Sequence, residues 1–234
     1  MPSLSISFPA YNEEANIGKT IEEALRVAPR LTDDFEVIVV DDGSRDHTAD
    51  VVRDYAARYP QVRLVQHPVN LGYGAGVFDG LAAGTRDWAF FTDADLQFVL
   101  DDLERLWALR DQADLIIGYR APRRDSLMRK FNGLGWTWLT NLLFGYVSRD
   151  VDCAFKLISR RVINTVGPRV TSRGATFSAE FLARAKRMGF TSREVPVTHR
   201  QRVAGSQTGA KVYVIVRAFR ELFRFRIQMW RERA

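Results

Sequence analysis

Short apolar segments alternate with helical patterns through the first half of this chain, and most of them run into polar clusters. LSISFPA, EVIVVDD, VRLVQH, WAFFTDAD and LIIGYR read as strands rich in β-branched and aromatic residues. Between them, residues 14–28, 49–58, 77–84 and 99–109 carry helical periodicity, with Asn12 or Asn16 and Asp46 or Thr48 available as caps. Strands separated by helices of this length imply βαβ units, hence an α/β fold with a mostly parallel sheet covered on both faces. Ligands of such sheets bind beyond the carboxyl ends of the strands. The clusters PAYNEE, VDDGSRD, TDADLQ and GYRAPRR fall at those ends, so a cleft is expected there.

Beyond Arg120 the alternation stops. Residues 123–145 read as an aromatic-rich helix, 147–152 and 155–159 as short strands, and 178–188 as a helix closed by Gly189. The segment SREVPVTH reads as a strand, the loop HRQRVAGSQTG follows, and a long helix runs from residue 211 to the end. With 234 residues and no repeat or linker, the expectation is one domain over 1–210 and a helical extension over 211–234.

Two common nucleotide sites are excluded. The dinucleotide fingerprint needs glycines straight after the first strand, where this chain has PAYNEEAN, and the phosphate loop GxxxxGK[ST] is absent. The glycines of GYGAG, at the third strand, read as a site of close backbone approach. Asp93 and Asp95 remain. If the fourth strand continues through both, their carboxylates point to one spot, and two like charges held there call for a cation. Mg²⁺ or Mn²⁺ suits such a pair, because it takes few carboxylates and completes its shell with water and phosphate oxygens.

The single cysteine, Cys153, rules out an intrachain disulfide and fits a reducing compartment. No signal peptide is expected in MPSLSISFPAYNEE, and no run reaches the roughly 20 apolar residues that span a bilayer. The net charge of +6, carried mainly by arginine, favours a polyanionic partner. Nucleic acid is not expected, since the arginines are scattered and no recognition motif is present. His47, His67 and Cys153 read as structural; His199 is a weak candidate beside the loop that follows it.

PAYNEEANI, VVDDGSRDHTADV, NLGYGAG and DADLQ, in this order, resemble the family 2 glycosyltransferases of GT-A fold. RRDSLMRKFNGLGWTWLTNLLFG, RDVDCAFKLISRRV, FSAEFLARAKRMGF and EVPVTHRQRVAGSQTG narrow the resemblance to polyprenyl-phosphate sugar synthases, such as the dolichyl-phosphate mannose and glucose enzymes. The resemblance implies metal-dependent, inverting transfer of a sugar from a nucleotide-sugar, of GDP-mannose or UDP-glucose type, to a polyprenyl monophosphate. It implies that Pro9, Tyr11 and Glu13 wall the donor site, with Asp42 beside the base and ribose and Asp41 behind it. Asp93 and Asp95, with Gln97 close by, would hold the metal; Arg120 and Arg129 would meet the acceptor phosphate; Arg202 would close on the phosphates. The catalytic set implied is Asp95, Asp152, Arg120 and Arg129. Guanidinium forks match phosphate oxygens, which suits the arginines. Tyr73 stands where many members have a basic residue, and Gln207 where a serine is common. A phosphate acceptor needs positioning rather than a strong base, whereas the alternative, a saccharide or other hydroxyl acceptor, would need one; Asp152 and Glu180 are the candidates.

In the C-terminal helix, Val212, Ile215, Val216, Phe219, Leu222, Phe223 and Trp230 share one face and Arg217, Arg220, Arg224 and Arg231 another, with a second apolar row at Val214, Phe225 and Met229. Such a helix lies in an anionic membrane interface, docks on the protein, or does both. The expectation is a peripheral protein at the inner face of the membrane, in the cytoplasm.

Overall fold

The computed structural model describes residues 1–121, 127–201 and 212–232, with the backbone alone described over 127–131 and 212–217. The strands are β1 (Leu4–Ala10), β2 (Phe35–Asp41), β3 (Val62–Gln66), β4 (Trp88–Thr92), β5 (Leu115–Arg120), β6 (Phe155–Ser159) and β7 (Ser192–Val197). They form one sheet in the order β3-β2-β1-β4-β6-β5-β7. Only the pairings of β6 with β4 and β5 are antiparallel; the others are parallel. β1 and β2 are buried almost end to end, as strands covered on both faces must be. Pro196 is tolerated because β7 is an edge strand, where one row of backbone donors is not needed.

The helices are α1 (Glu14–Val27), α2 (Thr48–Arg58), α3 (Tyr73–Ala83), α4 (Leu103–Trp107), α5 (Leu127–Phe144), α6 (Arg160–Val166), α7 (Phe177–Arg187) and α8 (Val212–Arg231). Asp46 accepts the backbone N–H of Thr48 at 3.0 Å and so satisfies an orphan donor at the start of α2. At the centre, Phe8, Phe90, Phe91 and Phe155 are fully buried, and Phe90 meets Phe155 edge-on at 4.6 Å.

Register brings the functional ends together. Ala10 pairs with Asp41 and Ser7 with Phe91, so the segments after β1, β2 and β4 emerge at one edge. Because β6 runs against both β4 and β5, its beginning and the ends of β5 and β7 lie at that same edge.

Several expectations change. β4 stops at Thr92, so Asp93 and Asp95 follow the strand instead of continuing it. Residues 147–152 form turns, because their polar groups are engaged by side chains: Asn141 accepts from Val147 N at 2.8 Å and Glu194 from Arg149 N at 2.5 Å. Helix α3 starts at Tyr73, four residues earlier than its apolar periodicity predicts, and the segment 99–109 is a 3₁₀ turn followed by the short α4. Arg160, which opens α6, is half-buried and donates to the carbonyls of Arg86 and Leu81 at 2.9 and 2.7 Å.

Candidate active site

The glycines of GYGAGVFDG serve packing. A Cβ on Gly80 would lie 1.9 Å from Ser7 Oγ, one on Gly76 3.2 Å from Pro9 Cβ, and one on Gly74 2.7 Å from the carbonyl oxygen of Gly174. Bare backbone lets α3 press against β1 and against the loop before α7, which closes one side of the cleft.

Asp93 and Asp95 lie in the bend just beyond β4, not in the strand itself. Leu96 takes a left-handed φ of 60°, which costs on the order of 1 kcal/mol in a non-glycine residue. The turn brings Gln97 N–H back to Asp95 Oδ1 at 3.1 Å. The Gln97 amide donates to the carbonyl of Arg200 at 3.1 Å, tying this turn to the segment after β7, where Phe98 also bridges His199. Asp95 is buried and Asp93 half-buried.

Burial and the neighbouring Asp95 carboxylate push Asp93 well above the usual carboxylate range, against the nearby Tyr73 hydroxyl and the positive charges of Lys156 and Arg120. Asp93 Oδ1 is buried with no hydrogen-bond partner among the described residues. An acceptor in that condition, beside a second carboxylate, is the setting a hard divalent cation relieves. Among the described residues no group of three or more His, Cys, Asp and Glu side chains encloses a metal site. Two carboxylates are nevertheless enough for a cation that takes its other ligands from a diphosphate and water, so the residues fit Mg²⁺ or Mn²⁺.

Two further groups arrive from the second half of the chain. Asp152 is exposed in the turn before β6, between the buried Val151 and Cys153. Its charge is felt by Tyr73, Lys156 and Arg120, so it belongs to the same cluster as Asp93 and Asp95. Arg120, at the end of β5, forms a two-pronged pair with Asp150, Nε to Oδ2 and Nη2 to Oδ1 both at 2.7 Å, with side chains 9% and 7% exposed. Burial works against the Arg120 charge, and the Asp150 partnership more than offsets it, so this guanidinium stays charged.

The residues expected to wall the donor site follow β1 and β2, and their polar groups are largely engaged by the protein. Pro9 is half-buried at the end of β1, and Tyr11 half-buried just after it. Glu13 is buried and accepts from the Asn16 amide at 2.7 Å. Asp41 accepts from Ser44 N at 3.1 Å. Asp42 accepts from His67 Nδ1 at 2.7 Å, Leu71 N at 2.8 Å and Gly72 N at 2.9 Å, so it shapes the loop that leads into α3. His67 is held on its other side by Asp79 at 3.0 Å, and its role is structural as expected. The side chain of Arg129, together with Arg202, Gln207, Arg123 and Arg124, lies outside the described residues.

Glu180 is not a candidate base. It is fully buried and accepts from Thr171 N at 3.1 Å, Ser172 N at 2.9 Å and Arg184 Nε at 2.8 Å, which makes it an anchor for the loop before α7. Sequence reasoning passed over Asp150, Lys156 and the contact made by Tyr73. A polar residue inside the apolar run FKLIS was the available signal for Lys156.

The profile of glycosyl transferase family 2 matches residues 5–167. The chain belongs to that family. It is similar to the dolichyl-phosphate beta-glucosyltransferase ALG5C of Trichomonas vaginalis, 31% identical over 81% of this chain and 61% of the relative. It is also similar to the undecaprenyl-phosphate 4-deoxy-4-formamido-L-arabinose transferase of Pectobacterium atrosepticum, 28% identical over 70% of this chain and 51% of the relative. The chain thus spans about three fifths and one half of the lengths of these two proteins. Among solved structures, glucosyl-3-phosphoglycerate synthase of Mycobacterium tuberculosis in complex with Mn²⁺, UDP and phosphoglyceric acid superposes with a TM-score of 0.72. That match is 19% identical and covers 96% of this chain and 77% of the other. The same enzyme with Mg²⁺ and UDP gives 0.69. The fold is therefore GT-A.

Proposed function

We propose that this family 2 protein transfers a sugar from a nucleotide-sugar to a polyprenyl monophosphate. The observation that carries the reading is the gathering of Asp93, Asp95 and Asp152 with Arg120 at the carboxyl edge of the sheet. The names of the similar polyprenyl-phosphate transferases support it, and the dolichyl-phosphate beta-glucosyltransferase of Trichomonas vaginalis favours glucose over mannose. UDP-glucose is accordingly the first donor to test, with GDP-mannose second.

In this reading Pro9, Tyr11, Glu13, Asp41 and Asp42 form the nucleotide wall. Asp93 and Asp95 hold a Mg²⁺ or Mn²⁺ ion, beside Gln97. When bound, that ion neutralises charge on the diphosphate leaving group. A phosphate oxygen of the acceptor attacks the anomeric carbon from the opposite side, the bond to the donor's β-phosphate oxygen breaks, and the nucleoside diphosphate leaves with the electron pair. The acceptor is already an anion, so the protein needs to place it and screen its charge, a task for Arg120, Arg129 and Arg202. Asp152 orients the reacting groups at the mouth of the site.

The catalytic unit in this account is 1–210, and the extension 211–234 carries α8 as a membrane-facing helix. In α8, Ala218, Leu222, Phe225 and Met229 are buried against the protein while Phe219, Phe223, Ile227 and Trp230 stay exposed. Leu222 thus leaves the face it shares with Phe219 and Phe223 by sequence, and over the described side chains, from Ala218 on, docking uses one row of the helix. Trp136 of α5 meets Phe219 edge-on at 5.6 Å, and α5 leaves Leu134, Trp138 and Leu142 exposed at four-residue spacing. Paired exposed apolar rows flanked by Arg220, Arg224 and Arg231 suit an anionic membrane interface, supporting a peripheral position at the inner leaflet. No helix among the described residues is long and apolar enough to cross a bilayer.

The acceptor assignment is tested by Arg129→Ala. Loss of transfer to lipid phosphate with donor hydrolysis retained supports it; undiminished transfer to lipid phosphate, or preferred transfer to a saccharide hydroxyl, refutes it.

A further inference from the structure

Lys156 lies in the middle of the sheet, opposite Phe91 of β4 and Ile117 of β5, and is 1% exposed. A methionine would fill much the same space without taking a charge out of water, so the ammonium needs a reason. Its Nζ donates to the carbonyl of Val151 at 3.2 Å and to the carbonyl of Cys153, and lies 5.4 Å from the centre of the Phe91 ring. Val151 and Cys153 are the residues on either side of Asp152. Both are fully buried, whereas Asp152 between them is exposed. The ammonium therefore clasps from within the core the one turn that presents Asp152 to the cleft. Burial works to lower the Lys156 ammonium below its ordinary range, and the charges of Asp150 and Asp152 work to hold it, against Arg120.

We propose that Lys156 is a positioning residue for sugar transfer, holding the Val151 and Cys153 carbonyls so that the Asp152 carboxylate is fixed at the mouth of the donor site. The inference rests on the function proposed above. A lysine retained only to stiffen the core would alter melting and ligand binding together. A positioning role acts on turnover, through Asp152.

The test is a double-mutant cycle on the full chain with Lys156→Met, Asp152→Asn and both together, assayed for transfer of labelled sugar, with calorimetric titration of UDP and Mn²⁺ as a second readout. Lys156→Met is expected to lower kcat about 30-fold or more, on the scale of a misplaced catalytic group, while donor KM and UDP affinity change by less than about threefold. The double variant is expected to be no slower than Asp152→Asn within about threefold, because residues acting as a unit are not additive. Wild-type turnover in Lys156→Met, multiplication of the two losses, or a loss of UDP affinity matching the loss of kcat overturns the proposal. If the methionine variant lacks a cooperative melting transition, Lys156→Gln replaces it under the same criteria; failure of both to fold assigns Lys156 to stability and also overturns it. A wild-type chain that hydrolyses donor yet labels no lipid refutes the acceptor reading instead, and donor hydrolysis then serves as the readout of the cycle.

Discussion

Tyr73, the first residue of α3, sets its phenol beside the carboxylate of Asp93 just beyond β4, close enough that each shifts the other's protonation. Burial of the hydroxyl, then the charge of Asp93, drives the phenol well above its ordinary range, so it stays protonated and remains a donor. The contact joins the NLGYGAG and DADLQ segments, far apart in sequence, into one wall. Tyr73→Phe is expected to lower kcat about 5- to 30-fold, the equivalent of about 1–2 kcal/mol for losing one hydroxyl beside a charged group, with melting unchanged within about 2 °C. Steady-state kinetics beside a thermal melt checks this; unchanged kcat contradicts it.

The Arg120–Asp150 pair is a structural dependence of the same edge. Removing one partner of a buried pair leaves the other charge unsupported, so Asp150→Ala is expected to destabilise the fold by about 3–5 kcal/mol. Urea denaturation reads this as a lower midpoint at unchanged slope. A variant as stable as the parent would remove Asp150 from the account.

Glu180 separates anchoring from catalysis. Glu180→Gln keeps one acceptor oxygen for the Thr171 and Ser172 amides but cannot act as a base, so kcat is expected to stay within about threefold of the parent, while a general base contributes at least about 100-fold. Stability is expected to drop by about 1–3 kcal/mol through the weakened bond to Arg184. A hundredfold fall in kcat would restore Glu180 to the reaction.

At the opposite edge of the sheet, burial works to raise Glu36, but hydrogen bonds from Thr85 N–H, Arg63, Ser5 Oγ and Thr85 Oγ1 outweigh it and hold the carboxyl below its ordinary value. A depressed carboxyl contributes stability that is present above the unfolded value, 4.5, and lost as pH falls through the folded one. Glu36→Gln is expected to be less stable than the parent by about 1–3 kcal/mol at pH 7 and to show a shallower loss of stability below pH 4.5. Urea midpoints taken from pH 7 to pH 3 check both, and parallel curves for the two proteins would contradict the assignment.

Much of the architecture is readable in the sequence because apolar runs and polar strand ends report burial directly. β1, β2 and the helices α1, α2 and α7 fall within a residue or so of their periodic signals. The closeness of Asp93 and Asp95 is also legible, although they follow the strand instead of continuing it; the left-handed Leu96 that folds Gln97 back onto Asp95 is a backbone choice that side-chain pattern does not announce. Lys156, Tyr73 and Asp150 escape a linear reading because each acts through a residue distant in the fold or hidden in the core. The same holds for Glu180, whose helix position gives no sign that two loop amides reach it. Hydrophobic pattern likewise predicts that α8 is amphipathic, but only packing decides that Leu222 turns inward while Phe219 and Phe223 do not.

The most direct measurement incubates the purified protein and Mn²⁺ or Mg²⁺ with a short polyprenyl phosphate and labelled UDP-glucose, with GDP-mannose and UDP-N-acetylglucosamine in parallel, and counts label extracted into the organic phase. The account predicts labelled lipid from UDP-glucose, none without divalent metal and none with Asp95→Ala. Hydrolysis of a donor with no labelled lipid from any of the three would contradict the central claim.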